Sequence, residues 1–414
     1  MIHLRLVLPT TRAWPRRTAL VAAVAVLLAG CASAPTAPGS ATAAAFWPPF
    51  PAAPRIQYLA SYRYSEDVEP ARSALDELIT GSDRQVLPIV KPYGVAMWDG
   101  KIYVCDTKNA GVVVLDVRNQ QTRLMGVSGA GRLTSPTDVA ISADGVKYVS
   151  DAQRGVVMAY DADERIVATF GFTGFRPTGV AVRGGELYVC DFESRTVHVL
   201  DRFTGDRLRV LGEQLAEEEQ MAWPLGIDVD PAGNVYVSDV LHCRVRKFAP
   251  DGTLLNAFGT IGTNPGNFVR PKHLAVDSDG IVYVVDAGFA NVQLFDDSNR
   301  LLMFFGSAGA HPGAMQLPAG VCVHDGDLDL YRELIHPDFQ AERLVLVTNQ
   351  FGPSKVSVYA MGQLRPGVTP RDITAGSVPV PTGLSESPDD PLGLPGLVNP
   401  DESALPTGPP GGGP

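Results

Sequence analysis

RPKHLAVDSDGIVYVVDAGFANVQLFDDSNRLLMFFGS, residues 270–307, holds one complete structural unit. Four apolar runs lie in it: HLAVD (273–277), IVYVVD (281–286), ANVQLFD (290–296) and RLLMFFGS (300–307). Each has strand length and strand composition. DSDG (277–280) joins the first run to the second, and DDSN (296–299) joins the third to the fourth. Both are turn sequences, because Asp and Asn hydrogen-bond their own backbone and Gly accepts a positive φ. A small sheet built this way is apolar on both faces, so it needs a neighbour on each side.

The unit recurs. Its opening reads KPYGVAMW, SPTDVAIS, RPTGVAVR, WPLGIDVD, RPKHLAVD and LPAGVCVH, with prolines at Pro92, Pro136, Pro177, Pro224, Pro271 and Pro318. A period of roughly 40–50 residues with strand-like alternation predicts an all-β fold, a six-bladed propeller. The sixth unit supplies only three strands, in VCVH, RLVLVTN and SKVSVYA. RIQYLAS (55–61) has the look of RLLMFFGS and is expected to supply the fourth. The ring is then closed by its own N-terminal strand, which removes the exposed sheet edges.

The predicted organisation follows. Residues 1–30 read as a signal peptide, 31–54 as an Ala/Pro-rich tether, 55–361 as the propeller and 362–414 as a Pro/Gly-rich disordered tail. Two insertions stand out. VEPARSALDELIT (68–80) reads as a short helix, with Pro70 at its start, and DGDLDLYRELIHPDFQAER (325–343) lengthens a connection in the sixth unit. The formal net charge of −11 argues against nucleic acid as a partner. Arg5, Arg12, Arg16 and Arg17 precede the apolar run TALVAAVAVLLAG (18–30), which is too short to span a bilayer comfortably.

That run ends in Leu28-Ala29-Gly30-Cys31, which resembles the bacterial lipoprotein signal. In that family the chain is cut before the cysteine, whose thiol carries a diacylglyceryl group. The resemblance implies lipidation at Cys31 and anchoring to a membrane without spanning it. Ala32 at the next position resembles the outer-membrane sorting pattern. The expected location is therefore the cell envelope, at the outer membrane.

GTIGTNPGNFVRPKHLAVDSDGIVYVVDAGFANVQLFD (259–296) resembles the NHL repeat, with its Gly-x-x-Gly and Pro-Gly-x-Phe-x-x-Pro opening and its Tyr-Val-x-Asp strand. RIQYLAS followed by VKPYGVA resembles a group of bacterial NHL-repeat lipoproteins of undefined activity. For that group a multihaem cytochrome system is an implied partner. No Cys-x-x-Cys-His occurs, so this chain is not itself a c-type cytochrome.

Candidate chemistry falls on the face that bears the Pro-x-Gly openings. One ring there is Asp106, Asp151, Asp191, Asp239, Asp286 and Asn349. A cation site is one reading of it, and turn capping in every blade is the favoured one. A second ring reads Gly94, Asp138, Gly179, Gly226, His273 and Gly320. Asp138 and His273 stand three blades apart and so face each other across the axis. They are the candidate channel residues, able to hold a divalent metal such as calcium or zinc, or to act as an acid–base pair. His242 is the one further histidine expected on that face. No nucleophile–base pair is evident, and no cofactor is predicted. The acidic run GEQLAEEEQ (212–220) offers a second attraction, for a basic partner surface.

The function expected is a lipid-anchored binding scaffold for a protein, peptide or small ligand. The alternative is a metal-dependent hydrolase or lyase in the channel, as in six-bladed gluconolactonases and the amidating lyase. Tyr-Val-Cys-Asp occurs twice, at Cys105 and Cys190, in blades a third of a turn apart. That is on the order of 15–20 Å, far beyond the Cα separation that a disulfide needs.

Overall fold

The computed structural model describes residues 45–70 and 86–373. Cys31, most of the 68–80 helix and the chain beyond 373 lie outside the described residues. Five sheets have four antiparallel strands and one has five. In the fifth blade the strands are Pro271–Val276, Val282–Asp286, Asn291–Phe295 and Leu301–Phe305. The second strand is buried throughout, whereas Leu301–Phe305 alternates between covered and open residues. Blades pack on both faces of an inner sheet but leave one face of the outermost strand to solvent, which gives the period-two burial.

The sixth blade closes the ring as expected. Its order is Phe46–Trp47, Ile56–Tyr62, Val356–Leu364, Phe339–Asn349 and Pro318–His324. Ile56 pairs with Met361 and Tyr62 with Val356, so the N-terminal strand is joined to the C-terminal one. The packed chain passes both boundaries drawn from the sequence. Phe46 pairs opposite Gln57, and its ring packs against Phe50, Phe339 and His336. Ile373 is buried in the same apolar cluster. Only the first part of the 325–343 insertion is a connection. Its last residues, from Phe339, are strand and pair with the stretch up to Leu364. Phe339 is 1% exposed, and its burial extends both strands.

The six innermost strands touch in sequence, Pro92–Trp98, Pro136–Ile141, Pro177–Arg183, Pro224–Val229, Pro271–Val276 and Pro318–His324, and the last touches the first. The approach is backbone on backbone. A Cβ on Gly226 would lie 2.6 Å from His273 Cα, and one on Gly94 would lie 2.6 Å from Asp138 Cα. Glycine at 94, 179, 226 and 320 is thus what lets the next inner strand approach this closely.

Hydroxyls of the second strands sew alternate seams. Ser150 Oγ donates to the Thr178 carbonyl at 2.5 Å, Thr348 Oγ1 to the Tyr93 carbonyl at 2.6 Å, and Ser238 Oγ to the Lys272 carbonyl. These bonds join blades two to three, six to one and four to five. Cys105 and Cys190 hold the same column in blades one and three. Both are fully buried, and burial pushes both thiols well above their ordinary range. They are small core residues with no partner cysteine among the described residues.

Gly226→Ala is expected to destabilise the ring by about 1–3 kcal/mol, because rigid backbone faces the added methyl. Gly185→Ala, where nothing lies within 4 Å, is the control. Thermal unfolding checks this, and equal transition temperatures for the two variants would refute it.

Candidate functional site

In these blades the turn after the second strand and the connection to the next inner strand share one side, called the top here. The six Asp and Asn positions sit there as caps. Asp106 accepts from the amides of Val90, Lys91, Lys108 and Asn109. Asp286 accepts from Val269, Arg270, Gly288 and Phe289. Asn349 accepts from Gln316 and donates to the Ser354 carbonyl. Each of these side chains ties a top connection to a top turn, and its oxygens are committed to main-chain donors.

The second ring brings its two odd members together. His273 Nε2 lies 3.0 Å from Asp138 Oδ2, across the channel. Asp138 also accepts from its neighbour Val139 at 2.9 Å and from Val180 of the next blade at 2.9 Å. Its side chain is 4% exposed and that of His273 is 14%, the latter opening on the narrow lumen. Burial opposes a charge on His273, but the Asp138 carboxylate, with help from Asp228, outweighs it and raises the pKa above its ordinary 6.5. A carboxylate can only accept, so Nε2 carries the proton. Among the described residues, the buried Nδ1 makes no hydrogen bond.

Asp228 completes the cluster and belongs to neither ring read from the sequence. It stands two residues beyond the glycine column, where the repeats read Ala96, Ala140, Ala181, Asp228, Ala275 and Cys322. That column carries the signal that could have found it. Asp228 accepts from Val229 at 2.8 Å and from Val276 of the next blade at 2.7 Å. Enclosure by protein pushes its pKa up to about 6, against the lowering effect of those bonds and of His273. Cys322 also borders the lumen, and burial pushes its thiol up to about 12, so it stays protonated. Asp138 and Asp228 act alike, since each holds its own inner strand and an amide of the next one. Among the described residues, no group of three or more His, Cys, Asp or Glu is placed to hold a metal ion.

The remaining histidines do not join this cluster. His242 is held on Asp239, Nδ1 to Oδ2 2.7 Å. His198 lies at the floor of a top-face cavity of about 440 Å³, beside Asp191, Ser194, Phe172 and Arg207. Ser194 Oγ is 2.7 Å from Asp191 Oδ2, and His198 Nε2 is 3.2 Å from that oxygen and 3.4 Å from Ser194 Oγ. This trio does not make a hydrolytic triad. Asp191 lies on the same nitrogen as the serine, so that nitrogen is protonated and cannot take the serine proton. Arg246 occupies the equivalent strand position in blade four and reaches Asp239 in the same way, at 3.2 Å. His198 is therefore a partner of the cap, as Arg246 is.

No family model matches the chain. A structural genomics protein of unknown function from Bacteroides thetaiotaomicron superposes with a TM-score of 0.51 at 15% identity, over 74% of this chain and 75% of that one. A gluconolactonase from Xanthomonas campestris matches with a TM-score of 0.48 at 16% identity, over 75% of this chain and 99% of that one. A virginiamycin B lyase from Staphylococcus aureus gives 0.46 at 12% identity, over 66% and 95%. At these identities the likeness is one of fold, the six-bladed propeller.

His273 is expected to titrate above 6.5 in the native protein. In Asp138→Asn the largest raising interaction is lost, and the midpoint falls. The pair's stabilisation is full below the unfolded-state pKa and is lost as pH rises through the folded one. The stability advantage of wild type over Asp138→Asn should therefore shrink as pH rises from the variant's midpoint through the wild-type one, by about 1.4 kcal/mol per unit of difference between the two. NMR titration of the His273 ring checks this, and an unchanged midpoint in the variant would refute it.

Proposed function

We propose that the protein is a lipid-anchored cell-envelope propeller of the NHL-repeat kind that acts as a binding scaffold through its top face. One observation carries this reading. Asp138, Asp228 and Nε2 of His273 are occupied in holding the ring, whereas the top loops leave large apolar side chains open to solvent. Leu241 is 64% exposed, Ile261 79% and Phe351 62%. Such residues on one face give apolar area that leaves water when another surface covers it. The Leu28–Cys31 resemblance supports an anchor on Cys31 and an outer-membrane location. The likeness to NHL-repeat lipoproteins suggests a multihaem cytochrome system as one class of partner.

A second reading keeps the channel as the site of a metal-dependent hydrolase or lyase. It is favoured by the meeting of Asp138 with His273 beside Asp228, whose pKa of about 6 suits proton transfer near neutrality. Calcium or zinc would be the ion.

The expected outcome is that Cys31→Ala abolishes palmitate labelling and releases the chain from the membrane fraction. Photocrosslinkers at Leu241 or Phe351 should capture one defined envelope partner, and crosslinkers at Asp163 or Phe203 on the opposite side should not. Equal capture from both sides would overturn the scaffold. Stoichiometric calcium or zinc in the purified chain, lost in His273→Ala, would instead favour the channel enzyme.

A further inference from the structure

Charge is sorted between the two sides of the disc. Top turns and connections carry Lys108, Arg132, Arg154, Arg176, Arg195 and Arg270, all exposed. Among the described residues, none of these six has a carboxylate within ion-pair distance. The lysine and arginine ion pairs of the described residues lie elsewhere, as in Arg118–Asp327, Arg202–Asp144 and Arg209–Glu186. The opposite side is acidic, with Asp99, Asp144, Asp163, Asp206, Asp251 and Asp297 exposed on its turns. Within a chain of net charge −11, the exposed cations of the top gather at Lys108, Arg132, Arg154 and Arg176, around blades one and two.

Exposed Glu193 in the top turn of blade three, and Glu213 with Glu217–Glu219 in the connection that follows, break that pattern. The connection between blades three and four carries the short 3-10 turn Glu217–Glu219, with all three residues exposed. It interrupts an otherwise repetitive ring. Exposed Val127, Phe172, Leu241, Ile261 and Phe351 lie among the cations.

We infer that the top face docks a folded protein whose contact surface is acidic and partly apolar, with one basic segment that meets Glu217–Glu219. This rests on the reading of the top face as the binding surface and names the chemistry of its partner. Unpaired cations attract an acidic surface over a Debye length and set its approach. The apolar side chains supply area that leaves water on contact. The six similar blades offer six near-equivalent orientations, and Glu217–Glu219 selects one by penalising an acidic patch placed over it. That same segment disfavours an anionic lipid surface, which would press uniform negative charge on the glutamates. A protein surface can present a basic segment at one place only.

The test uses the full chain and immobilised defined surfaces: a random glutamate–tyrosine copolymer, polylysine, and phosphatidylglycerol–phosphatidylethanolamine vesicles. The copolymer should retain the protein at low salt and release it as salt rises. The triple variant R132E/R154E/R176E should weaken retention at least tenfold, with an unchanged unfolding temperature. E217K/E218K/E219K should strengthen it on this uniformly acidic probe. D144K/D163K/D206K, on the other side, should leave it near wild type. No retention by the copolymer, or stronger retention by the vesicles, would overturn the inference. Retention by polylysine that is lost in E217K/E218K/E219K would overturn the partner's charge while leaving the top face as the binding surface. Dependence on Asp144, Asp163 and Asp206 would remove the top-face reading as well.

Discussion

The close approach of the six inner strands governs the rest of the molecule. Each blade is apolar on both faces and cannot stand alone, so the sheets pack into a ring. The ring closes only if the inner backbones meet at Gly94, Gly179, Gly226 and Gly320, where any added Cβ would meet backbone of the neighbouring blade or, at Gly94, Asp138 itself. Two carboxylates then become clamps. Asp138 and Asp228 each bind the amide of the residue that follows and an amide of the next inner strand. His273 reaches across to Asp138 and joins blades two and five. The polar cluster of the channel is thus tied into the closure of the ring.

Much of this is legible in the sequence, because a repeat serves as its own alignment. The Pro-x-Gly column marks the inner strands, and its two exceptions mark the residues that meet across the axis. The Tyr-Val-x-Asp column marks the second strands and their caps. In that column the alternation of Cys105 and Cys190 with Ser150, Ser238 and Thr348 separates thiols that only fill space from hydroxyls that bond the next blade. RIQYLAS is recognisable as the closing strand because it repeats the pattern of an outermost strand.

What the sequence hides lies between repeats or outside their pattern. Asp228 sits in a column of alanines, beside a glycine column with a stronger signal. The extension of the sixth blade to Phe339 and Leu364 depends on burial of Phe46, Phe50 and Ile373, which lie far apart in the chain. The sorting of charge is invisible to composition. It depends on which side each turn faces, so a net acidic chain can gather exposed cations on part of one face. His198 reads as a strand residue and is one, tied to the cap Asp191.

The proposed division of labour between a structural channel and a binding face can be measured with one variant. Asp138→Ala/His273→Ala removes the cross-channel bond and leaves the top loops unchanged. The account predicts a lower unfolding temperature with partner capture through Leu241 and Phe351 crosslinkers unchanged. Capture abolished in a variant that unfolds at the wild-type temperature would contradict it, since the pair would then serve function and not closure.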